Sequence, residues 1–288
     1  MLPRVLLFGR NGQLGWELER ALSVVAELAI FDFPAVNFNQ PQTLAPLVRE
    51  TQPQFVINAV AYTNVDKAES EPEAARRVNA ESVGELAKAS AALGAPFLHI
   101  STDFVFDGTK STPYIETDAP NPISTYGATK LLGDEMALAL NPRTFVLRPA
   151  WVYSNRTGGF VNKVLGWART NPNLRIVDDQ VSSPTWCRAL AEVIAQLVGR
   201  HASQPESLEG KFGLYHAAGA GECSRYEWVR EIISTANLSG VTVSPAKTEE
   251  FPAPAARPAY SPLDSSKLTR ELGLALPAWQ VSLRHCLE

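Results

Sequence analysis

The chain has 288 residues, a net charge of −4 and 45% apolar residues, enough for one large or two smaller domains with a substantial core. No basic block or aromatic–basic alternation points to nucleic acid, and no apolar run reaches the length of a membrane span. The three cysteines (Cys187, Cys223, Cys286) and four histidines (His99, His201, His216, His285) are scattered without paired spacing, which argues against a disulfide framework and against a metal cluster.

The N-terminus, Met1-Leu2-Pro3-Arg4, runs into a strand with no charged leader or small-residue cleavage site, so a cytoplasmic protein is expected. On that expectation the glycosylation matches Asn155-Arg156-Thr157 and Asn237-Leu238-Ser239 read as chance. Arg4 to Phe8 is a compact apolar strand, followed at once by Gly9-Arg10-Asn11-Gly12-Gln13-Leu14-Gly15 and an amphipathic helix from about Leu14 to Ala26. The first glycine permits the tight turn, the second lets a pyrophosphate approach the backbone, and the third lets the helix lie close to the sheet. The next strand, Leu28 to Phe31, ends in Asp32, an acid placed to accept hydrogen bonds from an adenosine ribose. Strand, glycine turn, helix, strand and acid together read as a dinucleotide site. Asp32 argues for NADH, because a carboxylate repels a 2′-phosphate; Arg10, inside the loop, argues for NADPH or is simply solvated.

A helix is expected around Thr43 to Glu50, then the strand Phe55 to Asn58, whose exit Ala59-Val60-Ala61-Tyr62-Thr63 either lies along the dinucleotide or is an ordinary loop. A long helical pattern from Glu73 to Leu93 leads to a buried strand, Pro96 to Ile100, that ends in Ser101, Thr102 and Asp103, at the strand end where ligands bind in open α/β sheets. Pro120-Asn121-Pro122-Ile123-Ser124 precedes the next helix, with Ser124 as candidate N-cap. On that helix Tyr126 and Lys130 stand one turn apart on one face, an arrangement in which an ammonium draws a phenol's pKa toward neutrality and makes a proton donor.

Thr144 to Arg148 is another strand; Trp151 after it either stacks on a planar ligand ring or packs. Gly158 to Lys163 opens a helix, Leu174 to Val177 reads as a further strand, and the polar loop Asp178 to Thr185 leads to a helix over Trp186 to Val198. Phe212 to Ala217 reads as the last sheet strand. A helix around Ser224 to Ala236, a Pro/Ala-rich connection from Phe251 to Pro258 and a helical part near Ser265 to Leu272 follow, with Arg257 a phosphate contact or a surface residue. Alternating strands and helices predict an α/β fold, a doubly wound parallel sheet with a smaller C-terminal domain. The dinucleotide unit is drawn as residues 1–149 and 172–218, and a substrate-binding lid as 150–171 and 219–288.

With the glycine loop, Ser101-Thr102 and Tyr126-x-x-x-Lys130 in that order, the chain resembles the Rossmann-type extended short-chain dehydrogenase/reductases. Gly12 to Leu18, Asn58 to Glu69, Ser101 to Gly108 and Trp151-Val152-Tyr153 narrow the resemblance to the dTDP-4-dehydrorhamnose reductase family. The resemblance implies NADPH- or NADH-dependent reduction of the 4-keto group of dTDP-4-dehydro-6-deoxy-L-mannose to dTDP-L-rhamnose. It gives Tyr126 the role of proton donor, Lys130 that of holding the nicotinamide ribose and lowering the phenol's pKa, and Thr102 that of binding the reacting oxygen. By the same carry-over Gly12, Gln13, Leu14, Asp32, Asn37, Phe38, Ala61, Tyr62 and Thr63 line the dinucleotide, Asp103 and Trp151 contact the sugar nucleotide, and Asn162, with Phe104, shares in substrate discrimination.

Phe104 stands where the family often has tyrosine. A homodimer is possible, but of the acids that bridge some family dimers through magnesium only Glu17 is matched; Thr185 to Ala189 holds none. Two alternatives stand beside this reading: another nucleotide-sugar reductase or epimerase on the same scaffold, and a non-catalytic NADP-binding regulatory subunit.

Overall fold

The computed structural model describes residues 2–156 and 158–288. Thr157, the third residue of the Asn155 acceptor match, lies outside the described residues, as does Met1 of the expected leaderless start.

In chain order the first half runs β1 (Arg4–Phe8), α1 (Gln13–Leu22), β2 (Glu27–Phe31), α2 (Leu44–Thr51), β3 (Phe55–Asn58), α3 (Val65–Ser70), α4 (Pro72–Arg76), a π-helical turn (Arg77–Glu81), α5 (Ser82–Ala92), β4 (Phe97–Ile100), α6 (Thr125–Leu140) and β5 (Thr144–Arg148). The second half runs β6 (Val152–Tyr153), α7 (Phe160–Thr170), β7 (Asn173–Val177), β8 (Val181–Ser182), β9 (Thr185–Trp186), α8 (Cys187–Ser203), β10 (Gly213–His216), β11 (Cys223–Ser224), α9 (Arg225–Thr235), β12 (Thr242–Ala246), α10 (Ser266–Leu272) and α11 (Trp279–Leu287).

Six strands form one parallel sheet in the order β10-β5-β4-β3-β1-β2, reversing direction of growth beside β1. Its strands are largely apolar because helices cover both faces, with His99 of β4 and His216 of β10 among the buried exceptions. Along β1, Val5 and Leu7 join the cluster that holds Leu14 and Leu18 of α1 and Leu190 and Ile194 of α8; Leu6 and Phe8 join the opposite cluster, with Val48 of α2 and Leu86 of α5. A third cluster, around Trp228, unites α7, β7, α9 and α11 into a smaller C-terminal layer.

The glycine turn obeys the packing predicted for it. Gly9 has φ +95°, a conformation that costs an L side chain strain, and a Cβ on Gly15 would stand 1.9 Å from the Gly9 carbonyl oxygen. Gly15→Ala is therefore expected to cost about 3 kcal/mol, the upper range for overpacking. A urea midpoint unchanged from wild type would refute that close contact.

Three expectations change, and one helix is new. α1 stops at Leu22, where Ser23 returns its hydroxyl to the Arg20 carbonyl and the chain turns outward, rather than continuing to Ala26. β7 does not join the main sheet: it pairs in parallel with β12, and its Leu174 and Ile176 enter the Trp228 cluster, so these residues belong with the C-terminal layer although the sequence boundary put 172–218 in the dinucleotide unit. In the opposite sense, Leu268 and Leu272 of α10 pack into the main core against β10, inside the span drawn as lid. The polar stretch after Asn64 is helical, started by the Asn64 side chain accepting from the Lys67 N–H at 3.0 Å.

Candidate functional site

The carboxyl ends of β1, β3 and β4 converge where the strand order reverses, the position at which doubly wound sheets bind ligands. At β1, Gly12 caps α1 through backbone alone, with no side-chain cap, so the first N–H groups of that helix face outward beside an exposed glycine. A Cβ on Gly12 meets only the Gly9 carbonyl, at 3.4 Å, while one on Gly9 would stand 2.8 Å from the Ala59 backbone. This leaves exposed backbone with uncapped N–H groups, the polarity that an anion such as a pyrophosphate requires. Leu14 and Gly15 are buried behind it.

Asp32 follows β2 and holds the loop: its two carboxylate oxygens accept from the Asn11 N–H at 2.6 Å and the Phe33 N–H at 2.7 Å. Arg10 points elsewhere, with its Nε 2.7 Å from Glu19 Oε2 on α1. Arg257 likewise is no free phosphate ligand; it makes a two-pronged pair with Asp66, its Nη2 2.8 Å from Oδ2 and Nη1 3.0 Å from Oδ1. Asn37 turns its side chain to the Asn39 N–H at 2.9 Å, and Phe38 is buried edge-on against Phe8, with ring centroids 5.6 Å apart. Gln13 accepts from the Ser154 N–H and hydroxyl at 3.1 and 3.0 Å, tying the start of α1 to the loop after β6.

At β3, Ala61 and Tyr62 are partly exposed and Thr63 is exposed. Tyr62 donates its hydroxyl to Glu71 at 2.7 Å, and its N–H goes to Asn79 Oδ1 at 2.8 Å. Asn79 sits in the π-helical turn, and its amide also reaches the Thr129 hydroxyl at 3.1 Å, so it joins the β3 exit to α6. Sequence reasoning passed over it; the signal was an amide in the apolar run Val78-Asn79-Ala80.

The β4 exit and α6 bring together the residues expected to be catalytic. The Thr102 hydroxyl accepts from the Phe104 N–H and donates to Asp103 Oδ1, both at 3.2 Å. Ser124 caps α6 as the sequence indicated, accepting from the Gly127 N–H at 3.2 Å, and so fixes Tyr126 in the first turn. Tyr126 lies edge-on to Phe104, with ring centroids 5.7 Å apart. One turn on, Lys130 is 1% exposed and donates to the Ile100 carbonyl at 2.6 Å, with His99 Nε2 3.0 Å away.

That inward anchoring overturns one expectation. The Tyr126 phenol is not drawn toward neutrality but pushed up to about 12, first by burial, with Thr102 pulling it down and the carboxylates of Asp103 and Asp134 pushing it up. Lys130, turned to the floor, is itself brought down to about 8 by burial, which Asp134 opposes. Tyr126 thus keeps its proton at neutral pH, the form a donor needs.

Asp103 and Trp151 do not stand free for a sugar. Asp103 is 2% exposed, and its Oδ2 accepts from Ser182 at 3.1 Å and Ser261 at 2.6 Å; burial raises its pKa and those hydroxyls lower it. Trp151, at φ +39°, stacks on Trp228 at 5.5 Å, with the Arg225 guanidinium 4.0 Å from its ring centre. Asn162 donates its amide to the Arg156 carbonyl. Glu17 is buried 3.7 Å from Arg188, in place of a second acid. Among the described residues no group of three His, Cys, Asp or Glu side chains is placed to hold a metal ion, and no helix is long and apolar enough to cross a membrane.

The model of the family described as "RmlD substrate binding domain" matches residues 3–288. The dTDP-4-dehydrorhamnose reductase of Burkholderia thailandensis is 38% identical to the chain over 293 residues, covering 99% of this chain and 98% of the relative. The crystal structure of the dTDP-4-dehydrorhamnose reductase from Clostridium acetobutylicum is 35% identical and superposes with a TM-score of 0.92 over 99% of this chain and 98% of that one. The one from Bacillus anthracis str. Ames, in complex with NADP, is 34% identical with a TM-score of 0.92 over 99% of each chain. The glycine cradle at β1 and the Thr102, Tyr126 and Lys130 cluster at β4 thus stand in a chain that belongs, over nearly its whole length, to the dTDP-4-dehydrorhamnose reductase family.

Proposed function

We propose that this reductase converts dTDP-4-dehydro-6-deoxy-L-mannose to dTDP-L-rhamnose in the cytoplasm, with Tyr126 giving the proton that completes the new 4-hydroxyl. The observation that carries the reading is the meeting, at one strand end, of a hydroxyl (Thr102) with a protonated phenol (Tyr126) whose helix is anchored by a buried lysine. A reduced nicotinamide dinucleotide, when bound, supplies the hydride for C4. The residues present fit that group: the Gly9 to Gly15 turn and the first N–H groups of α1 would hold its pyrophosphate, Asp32 its adenosine ribose, and the exit Ala61-Tyr62-Thr63 its length.

The chain's own residues do the rest. Thr102 orients the ketone oxygen, Tyr126 Oη transfers its proton to that oxygen as negative charge develops, and Lys130, anchored on the Ile100 carbonyl, would hold the nicotinamide ribose when the dinucleotide is bound. Oxidation of NADH or NADPH in the presence of the keto-sugar nucleotide, made in place, tests the reading. Turnover supports it; a protein that binds a dinucleotide yet consumes none would favour a different keto-sugar or a regulatory role.

Cofactor choice follows from Asp32. With Arg10 paired to Glu19, the carboxylate is what a 2′-phosphate would meet. NADH is expected to give a kcat/KM about tenfold above that of NADPH, equivalent to about 1.4 kcal/mol of repulsion, and Asp32→Ser to narrow the gap to about threefold. Equal rates in the wild type would refute this.

A further inference from the structure

Beneath Lys130 runs a buried polar string that the reaction as proposed does not use. His99 of β4 is fully enclosed, with Nε2 3.0 Å from Lys130 Nζ and Nδ1 3.4 Å from Asn58 Nδ2. Asn58, at the end of β3 and equally enclosed, accepts the Val60 N–H on its Oδ1 at 3.0 Å. That backbone bond settles which way the amide points: oxygen to Val60, NH2 to the imidazole. An NH2 group only donates, so His99 Nδ1 must offer its lone pair, and a neutral ring with a bare Nδ1 carries its proton on Nε2. An Nε2–H has nothing to accept from an ammonium. It can donate to a neutral amine, which still has N–H groups for the Ile100 carbonyl at 2.6 Å.

We infer that Asn58 and His99 form a tautomer lock that favours the neutral amine of Lys130, so that the lysine exchanges a proton at the floor of the site instead of standing as a permanent charge. The proton balance is simple. The ammonium releases one proton to solvent as pH rises, and the lone pair left on Nζ accepts from His99 Nε2–H; on re-protonation from solvent the ring must give up that contact or move its proton to Nδ1, against the Asn58 NH2.

The neighbours of the pair act as follows. Asp134 of α6 presents Oδ1, which has no hydrogen-bond partner, 3.8 Å from His99 Nε2, and favours the ammonium; its Oδ2 is held by Ser101 at 2.8 Å and by Arg148 of β5 at 3.0 Å. Tyr126 lies one turn up α6, and Asp103 follows β4. Burial holds the His99 pKa well down, so the ring stays neutral whether or not Lys130 is charged; burial also brings Lys130 into the range where it titrates.

The consequence for turnover rests on the reading that Lys130 serves Tyr126; the tautomer does not. The first test is therefore spectroscopic: full-length protein with histidines labelled at the ring nitrogens, observed by NMR at about pH 9, above the lysine's transition. The chain has four histidines, and the signal lost in His99→Gln assigns His99. An Nε2–H ring is expected in the wild type, and an Nδ1–H ring in Asn58→Asp, whose carboxylate accepts from Nδ1 in place of the amide donor. A wild-type Nδ1–H ring would overturn the lock.

The second test is the pH profile of kcat/KM. Its alkaline limb is expected to move up by about one pH unit in Asn58→Asp, a tenfold change in the lysine's proton affinity; an unmoved limb in a folded variant would overturn the inference. If Asn58→Asp fails to fold, the wild-type spectrum still decides. An Nε2–H ring in a protein without reductase activity would support the lock and count only against the proposed substrate.

Discussion

Tyr126→Phe is expected to lower kcat by about a thousandfold, near 4 kcal/mol of transition-state stabilisation, while leaving the affinity for the dinucleotide within about threefold. The reasoning starts from packing. The ring sits edge-on to Phe104, on a helix whose start is fixed by Ser124, and neither contact uses the phenolic oxygen. The substitution therefore keeps shape and fold and removes one proton. Because burial holds the phenol near 12, the wild-type group is protonated throughout the neutral range, so the loss in the variant should be the same from pH 6 to pH 8, to within about twofold. Steady-state rates set beside direct cofactor titration would check it. A fall of less than about tenfold would move the donor role to another group.

The largest effect on stability is expected at Arg148. This side chain is 2% exposed, and its Nε lies 3.0 Å from Asp134 Oδ2 on a carboxylate that is itself 1% exposed. Removing one partner of a buried pair strands the other charge, at a cost of about 3–5 kcal/mol. Arg148→Met should lower Tm by roughly 8–15 °C. Asp134→Leu in the same chain should recover much of that, because an apolar pair leaves no charge behind.

The pH dependence has a definite sign. Burial already raises the Asp134 pKa, and loss of the guanidinium raises it further, above the unfolded value; the native variant then holds a proton that the unfolded chain has lost. Its deficit should accordingly be small in acid and grow as pH rises from about 4. A variant as stable as wild type at neutral pH would show that the pair contributes nothing.

The sheet was legible because most of its strands are largely apolar runs flanked by glycine, proline or a polar turn, and β3 and β5 fall on the residues expected of them. The glycine turn and the spacing of Tyr126 and Lys130 were legible because they are local. What the sequence hid is long-range. Nothing near Asp103 indicates that Ser182 and Ser261 would close on its carboxylate, since they lie 79 and 158 residues away. The direction in which Lys130 points was equally hidden, for it is set by His99 and the Ile100 carbonyl on a different element. Hence the spacing placed tyrosine and lysine on one helix, as the structure has them, while the phenol's pKa moves opposite to the expectation. β7 was misplaced for a related reason: its alternating pattern of exposed and buried positions belongs to a two-stranded sheet, and its partner β12 carries Pro245, which disguises it.

The carboxylate of Asp103 bears on how such a protein can diversify. Its Oδ2 takes hydroxyls from the loop at β8 and from the segment before α10, while Oδ1 takes the hydroxyl of Thr102. The β8 loop and the segment before α10 are thereby stitched to Asp103 and, through it, to Thr102. They cannot be exchanged as a cassette with those of another sugar-modifying enzyme without reseating Thr102. New substrates would have to be reached one side chain at a time, at positions such as Phe104 that leave the three hydroxyls in place.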